Sequence, residues 1–479
     1  MKPILLWLRN DLRLDDHPAL RAAIDTGAAV VPVYIHADRD EGDWPAGGAS
    51  RWWLHHSLQS LARDVERLGG RLILRQGDAI GCLRQLVEET EAQAVYWSRR
   101  YEPHAMELEE KVDRLSQEMG FRTTSFKASL LFEPWTVESA KGGPVKVFTS
   151  FWKRAIATGA PDDPVPAPDR WPAVPSWPKS AELDELELLP QIDWAEGIRD
   201  TWSPGEAGAK RLLDRFLAEP IRAYDEDRNR PDIPGSSRLS PYLHFGEISP
   251  RMVWQAVMAK FGTDSTASLP SGAATYLREI GWREFAHHLL NHFEQTPSEP
   301  LRPEFEDMPW RSDAAAMKRW QQGMTGYPMV DAGMRELWHT GWVHNRVRMI
   351  VASFLTKHLL LPWQAGATWF WDTLVDADLA NNTLGWQWTA GCGADAAPYF
   401  RIFNPVTQGE KFDPEGDYVR RWIPELSQLD TKWIHKPWSA SKEALHKAGI
   451  KLGETYPEPM VDHKEARERA LAAFATIKK

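Results

Sequence analysis

Over the first 130 or so residues, short apolar runs alternate with amphipathic stretches. After Ser203 the apolar runs vanish. ILLWL, AVVPVYIHA, RLILR, AVYWS and FRTTSFKASLLF read as strands, and WWLHHSLQSLARDVERLG and LRQLVEETEA between them read as helices. Strand, helix, strand in this rhythm specifies a parallel sheet covered by helices on both faces, with a crevice at the strand carboxyl ends where a ligand can sit. Neither GxGxxG nor GxxxxGK(S/T) follows the first strand, which excludes the dinucleotide-binding and P-loop versions of this fold.

From about 133 to 200 the chain is dense in Pro and Gly (GGPVKVFTSFWKRAIATGAPDDPVPAPDRWPAVPSWP) and reads as a long, largely irregular connector. Beyond it, GEAGAKRLLDRFLAEPIRAYDEDR, SPRMVWQAVMAKF, ATYLREIGWREFAHHLLNHFEQ, VDAGMRELWHTG and VHNRVRMIVASFLTKHLLL carry helical i, i+3, i+4 periodicity. The expected organisation is an α/β domain with a doubly wound parallel sheet at 1–130, a connector at 131–202 and an all-α domain at 203–479.

At 479 residues the chain is long enough for these cores, and 43% hydrophobic against 26% charged residues excludes disorder. Two cysteines supply neither a disulfide framework nor a metal cluster, so a reducing cytosol is the natural home. No stretch approaches the ~20 apolar residues of a membrane span. The net charge of −10 argues against wholesale coating of nucleic acid but leaves room for one basic groove. The unusual number is 25 tryptophans, eleven of them between Trp254 and Trp388.

Three clusters in the helical half have chemistry that a plain bundle core would not select. In WVHNRVRM, 100° per residue puts Trp342, Asn345 and Met349 on one helix face and His344 and Arg348 on the next, unless Asn345 only caps. DADLANNTLGWQWTAG joins carboxylates and amides to two indoles beside Gly385, which suits a planar heterocycle with a polar edge, or else an aspartate-capped turn among core tryptophans. GSSRLSP offers hydroxyls and a guanidinium to a diphosphate, although serine-rich turns are common. His288 and His292 stand at i, i+4 without a third ligand, so no metal site is expected. The Lys411, Arg420 and Arg421 run reads as a solvated face.

Taken together, LWLRNDLRLDDHPAL, SRLSPYLHFGEISPR, WREF, TGYPMVDAGMRELWHTGWVHNR, DADLANN, GWQW and PYFRIFNPVTQGEKFDPEGDYVRRWIPEL resemble, in order and nearly end to end, the photolyase and cryptochrome flavoprotein family. The resemblance implies an antenna-binding α/β domain and a helical domain holding FAD in a bent conformation. Tyr224, Ser236, Ser237, Arg238, Leu239 and Ser240 then match the adenosine and diphosphate side. Arg348, Asp376 and Asp378 match positions around the isoalloxazine polar edge, Arg283 and Asn345 match further cofactor-binding positions, and Asn382 matches the residue facing flavin N5. Trp386, Trp363 and Trp310 match a tryptophan chain that carries electrons to the flavin from the surface. Tyr276 departs from the best-known bacterial enzymes, which have Trp.

Within the family, (6-4) photoproduct repair needs a histidine pair where this chain has Asn345 and Met349. Plant cryptochromes typically have Asp at the N5 position and Tyr at the second tryptophan of GWQW, where this chain has Asn382 and Trp388. The resemblance therefore implies light-driven repair of cyclobutane pyrimidine dimers in DNA, with a blue-light-sensing cryptochrome as the alternative. It gives Glu279 and Asn345 to the lesion's polar edges, Trp282 and Trp388 to its walls, Met349 to its rings, and Arg346 and Arg401 to the neighbouring phosphates. Folate-binding relatives carry an Asn-Glu pair where this chain has His104 and Ala105. The antenna is expected to be methenyltetrahydrofolate held by other residues rather than a deazaflavin. Damaged DNA is the expected partner, and the protein is expected to be a monomer, cytoplasmic and drawn to the nucleoid by its DNA.

Overall fold

The computed structural model describes residues 1–478. Five parallel strands, β1 (Ile4–Leu8), β2 (Val30–His36), β3 (Ile73–Gln76), β4 (Ala94–Ser98) and β5 (Arg122–Phe126), form one sheet in the order β3-β2-β1-β4-β5. Ile4 registers with Val30 on one side and Ala94 on the other. Residues of β1 and β2 are buried throughout, as strands covered on both faces must be, and this is why they read as continuous apolar runs. One side of the core joins Leu5, Trp7, Val33, Val95 and Trp97 to Leu83, Leu86, Val112 and Leu115 of the flanking helices Ala79–Thr90 and Pro103–Met119.

FRTTSFKASLLF is not one strand. Pairing stops at Phe126, and the N–H groups of Leu131 and Phe132 donate instead to the Glu284 carboxylate at 2.8 and 3.1 Å. Leu130 and Leu131 are buried in a loop held by that carboxylate rather than by a strand ladder. The connector is also more ordered than its composition implies. Phe148–Ala157 is helical, and Trp171 is buried with its indole N–H on the Val30 carbonyl at 2.8 Å. Trp171 lies against Gly70, where a Cβ would fall 2.6 Å from the ring.

Beyond the connector the described residues form helices, joined by a single isolated bridge between Leu452 and Tyr456. GEAGAKRLLDRFLAEPIRAYDEDR breaks after the Glu206–Ala218 helix, because Pro220 cannot continue it, and resumes as the short Tyr224–Asp227 turn. The Asn345–Ser353 helix runs into a π-turn at Phe354–His358. No helix among the described residues is long and apolar enough to cross a membrane.

Two compact units emerge: Met1–Glu219 with Ser237–Glu294 and Val375–Ala380, and Pro220–Ser236 with Gln295–Leu374 and Asn381–Lys479.

Candidate functional site

In the first unit the expected residues gather on three segments. Arg238 takes a left-handed backbone, φ 55°, a conformation most side chains avoid and one that concentrates where structure is held for use. Its guanidinium lies 4.4 Å from the centre of the Trp202 ring. Ser240 opens the short Ser240–His244 helix. Tyr276 is buried among neighbours that include Phe216 at 4.5 Å, and burial pushes its phenol up to about 12. The Ser271–His292 helix then presents Glu279 and Trp282 at i, i+3 and Arg283 at i+4. One face of Trp282 is covered by Phe148, ring centres 3.9 Å apart and nearly coplanar. Arg283 donates to the Ser129 carbonyl at 2.6 Å and the Leu243 carbonyl at 3.5 Å.

Asp376 and Asp378 are both buried. His287 Nε2 and His244 Nδ1 converge on the Asp378 carboxylate at 3.6 and 3.7 Å. Burial opposes its charge, but His287, His244 and Arg283 outweigh it, holding the carboxylate far below the usual range. Sequence reading missed both histidines. HHLLNHFE drew attention to His288 and His292, yet His288 spends its ring on the Pro134 carbonyl and the Val145 N–H, while its neighbour His287 meets the aspartate.

The second unit holds Tyr224, whose ring centre lies 5.7 Å from the Arg228 guanidinium, and Ser236. The Asn345–Ser353 helix corrects the reading of WVHNRVRM. Its cap is His344, whose Nδ1 accepts the Arg346 N–H at 3.2 Å, so Trp342 and His344 precede the helix and only Asn345 and Met349 share a helical face. Asn345 is exposed at the first helical position and is not the cap. Arg346 donates to Asn229 Oδ1 at 2.6 Å and stacks over Phe412 at 4.6 Å; Arg348 donates from Nε to the Val343 carbonyl at 2.8 Å. Arg401 is exposed.

Asn382 lies on the Leu379–Ala390 helix with its amide N–H donated to the Ala367 carbonyl at 3.1 Å. Gly385, one turn on, has no heavy atom within 4 Å of where a Cβ would stand. An amide held by its N–H, one turn from a glycine with open space beside it, suits a flat ring. Trp386 is buried against Phe370 at 5.0 Å and Trp320 at 6.3 Å. It packs on Gly366, one helical turn from Trp363 in the Trp363–Thr373 helix. Trp386 and Trp363 are buried, and Trp310 and Trp388 are partly exposed.

At the sheet's switch point, between the neighbouring strands β1 and β4, charged side chains from the stretches after β1, β2 and β4 bond one another. Arg100 donates to Glu41 at 2.6 and 2.8 Å, His104 Nε2 lies 3.0 Å from the same carboxylate, and Arg9 bonds the Ser98 carbonyl and Glu109. Burial resists the charge on Glu41, yet Arg100 and His104 hold it well below the carboxylate range.

Residues 4–169 match the family described as DNA photolyase, and residues 276–476 match the FAD binding domain of DNA photolyase. A deoxyribodipyrimidine photo-lyase of Agrobacterium fabrum is 49% identical over 478 residues, covering 100% of this chain and 98% of the relative. The chain belongs to the DNA photolyase family. The crystal structure of a bacterial class III photolyase from Agrobacterium tumefaciens matches with a TM-score of 0.95 at 49% identity, covering 100% of this chain and 98% of that one. Cryptochrome-2 of Arabidopsis thaliana is 38% identical across 99% of this chain and 79% of its own length. The α/β half and the helical FAD-binding half expected from the sequence are those of the photolyase fold.

Proposed function

We infer that this photolyase family member splits cyclobutane pyrimidine dimers in DNA under blue light. The observation that carries the reading is the 49% identity, sustained from end to end, to a deoxyribodipyrimidine photo-lyase, against 38% to a plant cryptochrome. FAD, when bound and reduced, supplies the light-driven electron that opens the cyclobutane ring. The residues present suit that group: a carboxylate met by two imidazoles, an amide held by its N–H one turn from open glycine space, and a serine-arginine run whose Arg238 has a left-handed backbone.

In this reading Tyr224, Ser236, Ser237, Arg238, Leu239 and Ser240 hold the adenosine and diphosphate. Arg348, Asp376 and Asp378 would surround the ring's polar edge, Arg283 and Asn345 would be further flavin contacts, and Asn382 would face N5 without adding charge. Trp310, Trp363 and Trp386 pass electrons inward. Photolyases act on a base drawn out of the duplex, which a poorly stacked dimer makes cheaper by part of a few kcal/mol. Trp282 and Trp388 stack on the extruded rings, each contact contributing ~1–3 kcal/mol. Glu279 and Asn345 hydrogen-bond the pyrimidine edges, Met349 packs on the rings, and Arg346 and Arg401 meet flanking phosphates, each adding ~0.9 to the salt slope.

For the antenna, we favour methenyltetrahydrofolate over a deazaflavin. Glu41, Arg100 and His104 bond one another near the carboxyl ends of the strands, and Ala105 is buried. Positions 104 and 105 are thus engaged within the protein, which supports a folate held by other residues. The deciding experiment illuminates the reduced holoenzyme with an oligonucleotide carrying one defined thymine dimer. Loss of the dimer only in the light is expected; none would leave light sensing as the function.

A further inference from the structure

Lys357 is completely buried, and among the described residues no carboxylate lies within salt-bridge distance of it. An ammonium without a counter-ion is costly to bury, so a chain retains one where it performs a task. Lys357 lies in the π-turn Phe354–His358, a kind of distortion that occurs often at functional sites. Its Nζ donates to the Arg401 carbonyl at 3.4 Å and stands 5.1 Å from the centre of the Tyr399 ring. Both contacts are to the segment Pro398–Phe403, which has no helix or strand of its own.

That segment is anchored at intervals. Tyr399 stacks on Phe474 of the C-terminal helix at 4.4 Å, the Phe403 N–H reaches Ser353 Oγ at 3.4 Å, and Asn404 caps the following helix. Between the anchors, Phe400 and Arg401 face solvent, Phe400 with 64% of its surface exposed. We propose that Lys357 is a positioning residue for DNA binding: its ammonium clamps the backbone at Arg401 from inside, so that the exposed guanidinium is presented to a phosphate. The proposal rests on the repair reading, in which Arg401 meets DNA.

The groups facing Lys357 are the Tyr399 phenol and the Cys392 thiol, both kept neutral by burial, and the Arg401 guanidinium. Burial, with Arg401 adding to it, brings the lysine down to about 7. The clamp therefore weakens as pH rises through neutrality, because a neutral amine loses its attraction for the ring and much of its hold on the carbonyl.

The test measures affinity of the holoenzyme for a dimer-containing oligonucleotide between about pH 6 and pH 9 at fixed salt. The wild type should weaken as pH rises. Lys357→Met should bind about tenfold more weakly at the acid end and show no such slope, with flavin content unchanged. Arg401→Ala, with Lys357 intact, should also lose the slope, and adding Lys357→Met to it should cost little more, since the two act as one unit. Should Lys357→Met fail to fold, the Arg401→Ala profile decides alone. A slope that persists in Arg401→Ala, or additive losses in the double variant, would overturn the assignment. Wild-type protein that does not prefer the dimer over undamaged DNA would instead count against the repair reading.

Discussion

The six-membered ring of Trp386 fills the space that any side chain at Gly366 would need: a Cβ there would fall 2.0 Å from the indole. Gly366→Ala must therefore move the ring or the helix beneath it, at a cost of about 1–3 kcal/mol. Because Trp386 is the tryptophan proposed to stand first in the electron chain, the variant should photoreduce its flavin more slowly while repairing normally once chemically reduced. Transient absorption of the bound flavin reads the first effect and dimer loss reads the second. An unchanged photoreduction rate would remove Trp386 from the route.

Trp363 opens the helix on which Trp386 packs. Trp363→Phe keeps a flat apolar ring but not an indole that readily gives up an electron. Photoreduction should fall nearly to zero, and repair by chemically reduced protein should survive. Undiminished photoreduction would place the route elsewhere.

His344 caps its helix only while its ring is neutral, because Nδ1 must accept the Arg346 N–H. Burial, then the charges of Arg346, Arg348 and Arg228, lower its proton affinity from 6.5 to about 3. The unfolded chain thus binds the extra proton between those values, so this contribution to stability is complete above about pH 6.5 and fades as pH falls toward 3. Denaturant midpoints for the wild type should drop on acidification through this window. His344→Asn, which caps without titrating there, should drop less, and His344→Ala should cost ~1 kcal/mol even at neutral pH.

Glu279 sits one helical turn from Trp282 and is only partly buried. Glu279→Ala should lower repair yield per absorbed photon with flavin content and melting temperature close to the wild type. An equal yield would take Glu279 out of the lesion contacts.

The sheet was legible because both of its faces are covered, which writes each central strand as an unbroken apolar run. FRTTSFKASLLF misled because what ends β5 is Glu284, a carboxylate more than 150 residues further along the chain. WVHNRVRM misled for the opposite reason, a local one: His344 competes with Asn345 for the cap and takes it. The family motifs marked Asp378 and Asn382, but not the imidazoles that fix Asp378 or the carbonyl that orients Asn382, since neither partner carries a distinctive spacing. Lys357 falls inside FLTKHLLL, where helical periodicity marks the element but not the π-turn that it carries.

The Glu41–Arg100 ion pair joins the stretch after β2 to the stretch after β4, two positions 59 residues apart along the chain. A bond between such distant positions forms only once both strands stand in the sheet. It therefore reports on the assembled α/β half and not on any local element, and a chain cut before residue 100 would leave Glu41 without its cation.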